Sequence, residues 1–172
     1  PDEVRVRARE QLMQGASQVK LTAGGGVSSP FSPIDVTTFT EAELRAAVEA
    51  AENWGTYVTA HAFTPNAIRG AIAAGVKCIE HGTLMDDASI ALFKKHGAYY
   101  VPTLSTINGY KERLAANPEA YTGEVLKKIR WRIDITGKSL RAAHAAGVKI
   151  SFGTDAGVSK HGRNADEFEL MV

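Results

Sequence analysis

The feature that most constrains this chain is a joint that recurs between its elements. Ala-Ala-Gly-Val-Lys occurs at 73–77 and again at 145–149. Trp54-Gly55-Thr56-Tyr57 and His96-Gly97-Ala98-Tyr99 occupy equivalent places. In each, a helical stretch ends on a glycine, the residue that most readily takes the left-handed conformation closing a helix, and a β-prone run follows at once. A helix leading straight into a strand, repeated along the chain, is the pattern of a parallel sheet with crossover helices.

The remaining signals fill in the alternation. Asp2 to Gly15 reads as an amphipathic helix with Val4, Ala8 and Leu12 on one stripe. Gln18 to Thr22 reads as a first strand, followed by Gly24-Gly25-Gly26 and a Ser/Pro-rich loop to Thr38. Thr40-Glu41-Ala42-Glu43 is a capping box, in which hydroxyl and carboxylate satisfy free N–H groups at a helix start; that helix runs to about Trp54. A second strand, Thr56 to Ala60, ends in His61, and Thr64-Pro65 opens the next helix with an N-cap and a proline at the first helical position. Lys77 to Glu80 leads into His81, and Asp86 or Asp87 caps a helix that stops at Gly97. Ala98 to Leu104 reads as a fourth strand, interrupted late by Pro102. One helical region is expected from about Ile107 to Ala146, broken near Asn117-Pro118. Lys149 to Phe152 is the fifth strand, and a helix is expected from Ala165 onward.

The bulk properties exclude several classes. At 172 residues the chain is long enough for one domain with a core. A net charge of +1, with basic residues interspersed among acidic ones, gives no argument for nucleic acid and reads as solvated helix faces. No apolar run approaches the roughly 20 residues that span a bilayer. The single cysteine, Cys78, rules out an internal disulfide and reads as a small core residue. Because the first residue is Pro1, the chain is expected to begin inside a longer one or to follow processing. A cytoplasmic location is the default, and a secreted or periplasmic one stays open.

The candidate chemistry falls in one structural place. Lys20 lies within the first strand, and His61, His81 and Asp155 follow the second, third and fifth. Parallel strands gather their C-terminal ends on one face, where sites are built. Taken singly, either histidine could be a satisfied core residue, Asp155 could cap a turn, and Lys20 could extend into solvent. The repeated strand-end register favours a shared metal site. His96 and His144, near helix C-termini, read as structural.

These segments carry a resemblance to the amidohydrolase superfamily, in particular its Xaa-Pro dipeptidase (prolidase-like) branch. Val19-Lys20-Leu21-Thr22-Ala23-Gly24-Gly25-Gly26 resembles that family's fourth barrel strand and the glycine-rich loop after it. Thr59-Ala60-His61-Ala62 is similar to its fifth, Ile79-Glu80-His81-Gly82 to its sixth, Tyr100-Val101-Pro102-Thr103-Leu104 to its seventh, and Gly153-Thr154-Asp155-Ala156-Gly157 to its eighth. His161-Gly162-Arg163-Asn164-Ala165 resembles the loop after strand eight. The resemblance implies an α/β fold of the TIM (β/α)8-barrel type, with residues 1–172 as its C-terminal portion, a partial barrel covering about strands 4–8.

By the same resemblance, the centre holds two divalent metal ions, with zinc expected. A lysine ammonium has no lone pair for a cation; the family's equivalent lysine reacts with CO2, so Lys20 would carry a carbamate bridging both ions. His61 and His81 would hold one metal, and Asp155 would bind the other and take a proton from the bridging water. His161 and Asn164 would face the substrate, a small molecule or dipeptide. The implied activity is hydrolysis of C–N amide or peptide bonds in Xaa-Pro-like dipeptides or N-acyl amino acids. Two alternatives stand beside it: a mononuclear deaminase or cyclic-amide hydrolase, and a catalytically incomplete piece that needs the N-terminal half of the barrel or another copy of itself. Two departures from the family pattern matter. No His-x-His occurs here, although the family's first strand supplies one, and a whole barrel needs about 250 residues. Phe63 stands where many relatives carry a tyrosine whose hydroxyl meets the substrate carboxylate; Lys160, His161 and Arg163 are the candidates to serve an anionic substrate end instead.

Overall fold

A computed structural model describes residues 1–172. Five strands form one parallel sheet: β1 (Val19–Thr22), β2 (Val58–Ala62), β3 (Cys78–His81), β4 (Tyr99–Val101) and β5 (Lys149–Ile150), in the spatial order β1-β2-β3-β4-β5. Spatial order equals chain order, so every crossover steps in the same direction, as in an arc of a β/α barrel rather than a doubly wound sheet.

The helices are α1 (Asp2–Met13), α2 (Glu41–Asn53), α3 (Pro65–Ala73), α4 (Asp87–His96), α5 (Thr106–Ala116), α6 (Gly123–Asp134), α7 (Lys138–Ala145) and α8 (Asp166–Met171). Their starts are chemically marked. Thr40 and Glu43 exchange both capping-box hydrogen bonds, and Thr64 accepts from the Ala67 amide ahead of Pro65. Asp86, rather than Asp87, is the N-cap of α4. Gly55, Gly75, Gly97 and Gly147 all take positive φ at the joints, which is the feature they share in sequence.

The main core lies between sheet and helices. Its strand residues are Val19, Val58, Ala60, Ala62, Ile79 and Tyr100, met by Ala47, Ala50, Ala51, Ile68, Ala71, Ile72 and Phe93 from the helices. The alanines let the helices approach the sheet closely. Register alternation sends the other set of residues to the opposite face: Lys20 pairs in register with Thr59, Thr59 with Cys78, and Cys78 with Tyr99. Cys78 therefore lines the concave side, half-buried, instead of joining the core. A smaller cluster of Val27, Phe63, Ile107, Tyr110 and Ile129 packs α5 and α6 over the C-terminal ends of the strands.

β2 and β3 run on through His61 and His81, beyond the expected Ala60 and Glu80, and three further boundaries differ from expectation. β4 stops at Val101 because Pro102 has no N–H to continue the ladder. With its partner ended, β5 is confined to Lys149–Ile150, and the Ser151 amide makes a last bond to the Tyr100 carbonyl at 2.8 Å. The long helical region breaks a second time, at Gly137, which takes φ 79° between α6 and α7.

Candidate active site

The C-terminal ends of the strands surround a cavity of about 280 Å³. Lys20, His61, His81 and Asp155 all line it, with Phe63, Tyr110 and Arg132 among their neighbours. His161 and Asn164, by contrast, are exposed on the loop beyond β5 and do not line it. Lys160 and Arg163 on that loop both pair with Glu112 of α5, and neither lines the cavity.

His61 points into the cavity by ordinary strand alternation. Its Nε2–H donates to the Gly25 carbonyl at 2.9 Å, since that oxygen can only accept, and this leaves Nδ1 with a lone pair. His81 arrives differently. It is the register partner of Ala62, on the core side of the alternation, yet its ring lies 4.6 Å from that of His61. A φ of 74° turns its side chain toward the cavity. Tyr100 holds the turned backbone by donating to the His81 carbonyl at 2.9 Å.

The tautomer of His81 follows from its partner. The Thr103 hydroxyl has one proton, which it donates to the Pro102 carbonyl at 2.8 Å; it therefore accepts from His81 Nδ1–H at 2.7 Å. His81 Nε2 is left with a free lone pair. Burial pushes the His61 imidazole below the ordinary histidine range, against the hydrogen bond to Gly25. It pushes that of His81 well below, with the charges of Arg132 and Lys20 acting the same way. Both rings are thus neutral near pH 7, each with one nitrogen pinned and the other available, the state a divalent metal requires.

The other two predicted ligands are less prepared. Lys20 reaches the cavity from β1, but its ammonium forms an ion pair with Glu80, which also accepts from the Thr59 hydroxyl at 2.8 Å. Asp155 takes φ 53° and is exposed, and no three His, Cys, Asp or Glu side chains converge into a ready cluster. The donor set fits a metal at the two imidazoles. Lys20 in its ammonium form does not.

Non-glycine residues with positive φ are His81, Thr103 and Asp155, and all three sit where strands deliver side chains to this face. Such backbone is costly for ordinary residues and clusters at functional sites. Sequence spacing carries no sign of it. Sequence reasoning also missed Arg132, a buried cavity residue on α6, and Glu167 of α8, fully buried, whose carboxylate accepts from the Leu104 and Ser105 amides at 2.8 and 2.6 Å.

A singly wound parallel arc with its ionisable groups gathered at the strand C-termini defines a protein of the β/α-barrel type. The chain belongs to the amidohydrolase family, whose model matches residues 1–172. It is 36% identical to an ochratoxinase of Aspergillus niger over 171 residues, 99% of this chain and 35% of that protein. Among solved structures, a Xaa-Pro dipeptidase with methionine bound in the active site superposes with a TM-score of 0.92 at 38% identity, over 99% of this chain and 42% of that one. A prolidase complexed with N-methylphosphonate-L-proline superposes at 0.89 and 40% identity, over 97% of this chain and 40% of that one. The chain thus spans well under half the length of these relatives.

Proposed function

We propose that this chain supplies part of the active site of a metal-dependent hydrolase that cleaves C–N amide or peptide bonds, with Xaa-Pro-like dipeptides or N-acyl amino acids as substrates. The observation that carries the proposal is the pair of neutral, pre-oriented imidazoles of His61 and His81, facing one cavity with Lys20 and Asp155. The Xaa-Pro dipeptidase and prolidase neighbours support the bond type and the substrate class.

His61 and His81 would hold one divalent ion, zinc by the softness of the ligands. Lys20 would join them as a carbamate. Its amine must first lose a proton and leave Glu80; nitrogen then bonds to the carbon of CO2, and a second proton is released from the new N–C linkage. Two divalent ions, when bound, supply the positive charge that acidifies a water and polarises the scissile carbonyl. Asp155 would accept the proton of the attacking water and pass it to the leaving amine. Phe63, stacked on His81 with ring centroids 5.1 Å apart, keeps the inner wall apolar and restrains the ring.

The ion pair between Lys20 and Glu80 favours a second reading, a single-metal relative such as a deaminase or cyclic-amide hydrolase in which Lys20 is structural. One experiment separates the two. The full-length protein and its Lys20→Ala variant are loaded with zinc with and without bicarbonate, and metal content and dipeptide hydrolysis are measured. Two ions per protein, bicarbonate-dependent loading, and loss of metal and activity in the variant support the binuclear centre. Full activity and metal content in the variant overturn it. The strands that flank this sheet would come from the N-terminal half of the barrel or from another copy, since β1 and β5 each leave one edge unpaired.

A further inference from the structure

The cavity holds a buried charge that no ion pair in the chain answers. Arg132 on α6 is 3% exposed, the one lysine or arginine among the buried residues. A guanidinium carries five N–H donors and keeps its charge in any folded protein. Here it makes two hydrogen bonds, to the Thr136 hydroxyl at 3.4 Å and the Pro102 carbonyl at 3.5 Å, both at the outer limit of useful length. It joins none of the chain's ion pairs. The buried acid that shares this region, Glu167, has both oxygens committed to backbone amides.

A buried cation without a counter-ion is strongly unfavourable, and it is kept where an anion arrives to complete it. Arg132 lines the same cavity as the paired histidines. Lys20 pairs with Glu80 or, as a carbamate, carries no positive charge, and Lys160 and Arg163 do not line the cavity. Phe63, also on this cavity, offers no donor. The planar fork of a guanidinium matches the two oxygens of a carboxylate.

We propose that Arg132 is the carboxylate anchor of this cavity, donating from its guanidinium fork to both α-carboxylate oxygens of the amino acid on the leaving side of the substrate. The identity of the anion as a substrate carboxylate rests on the hydrolase reading above; the anchor itself is a claim about binding and is tested by binding. L-proline and L-prolinamide are titrated into the full-length protein, because they differ in the carboxylate alone. The wild type is expected to bind L-proline about 100-fold more tightly than L-prolinamide. Arg132→Met is expected to lose that preference, with L-prolinamide affinity unchanged. Arg132→Lys keeps the buried charge and so protects the fold; it is expected to lose about 10-fold on L-proline alone. A wild type that binds the two probes equally, or binds neither, overturns the proposal. So does an Arg132→Met protein that keeps the preference, or an Arg132→Lys protein weakened equally toward both. Preference for L-proline without turnover of any N-acyl amino acid would sink the hydrolase reading and leave the anchor standing; turnover without preference would do the reverse.

Discussion

The imidazole of His81 stands 4.6 Å from that of His61 although the two side chains start from opposite faces of the strand alternation. The left-handed backbone at His81 is what brings them together. Histidine and asparagine tolerate that conformation better than a β-branched residue. His81→Asn and His81→Val both remove the imidazole, yet the valine variant should be less stable than the asparagine variant by about 1–2 kcal/mol. Thermal melts of the two full-length variants check this, and coincident melts would count against the strained conformation.

Gly25 is expected to be as intolerant for a different reason. A Cβ there would lie 1.6 Å from the Pro33 carbonyl oxygen, so backbone would have to move. The same residue's carbonyl holds His61 Nε2 at 2.9 Å. Gly25→Ala should cost about 1–3 kcal/mol and reduce activity by about 10-fold or more through His61. A melt combined with a kcat/KM measurement reads both effects.

Lys128 clamps the glycine-rich loop. Its ammonium donates to the carbonyls of Gly26 and Ser32 at 2.8 and 3.0 Å and to that of Ser29. Four residues on, α6 carries Arg132, so one helix fixes two walls of the cavity. Lys128→Met should destabilise by about 1–2 kcal/mol, and limited proteolysis should reveal new cleavage within residues 24–38.

Asp86 caps α4, accepting from the Ser89 amide at 2.8 Å and the Ser89 hydroxyl at 2.6 Å. The Ser89 hydroxyl chiefly, with help from Arg69, holds the carboxyl below its ordinary range. Its pKa is therefore lower folded than unfolded, and its contribution is present above the unfolded value and lost as pH falls through the folded one. Asp86→Ala should cost about 1 kcal/mol at pH 7, and the gap from wild type should narrow in urea titrations as the pH falls below the unfolded carboxylate value of about 3.9. A gap independent of pH would argue against the carboxylate as the cap.

Much of this fold is written in local chemistry. The box at Thr40 and Glu43, the Thr64-Pro65 start and the joint glycines act within a few residues of themselves, so a single sequence displays them. Strand length is set by the neighbour instead: β5 is short because β4 stops at Val101, before Pro102, about 50 residues earlier in the chain. The site divides along the same line. Lys20, His61, His81 and Asp155 come together on one cavity, as strand-end placement led us to expect, while His161 and Asn164 lie outside it. Arg132 was illegible because, among the mixed charges of α6, it has the look of solvated surface; only the packing of α5 and α6 over the strand ends encloses it. Glu167 was hidden because its burial depends on amides at Leu104 and Ser105, far away in sequence.

The three non-glycine residues held in left-handed backbone have an evolutionary consequence. His81, Thr103 and Asp155 each occupy a conformation that glycine would adopt without penalty. Glycine at any of them would relieve local strain, and each exchange would delete a cavity group or the hydroxyl that fixes a tautomer. Relief of that strain would therefore come only by erasing chemistry. A descendant of this protein that melts at a higher temperature through glycine at 81, 103 or 155 should be met with suspicion as a catalyst.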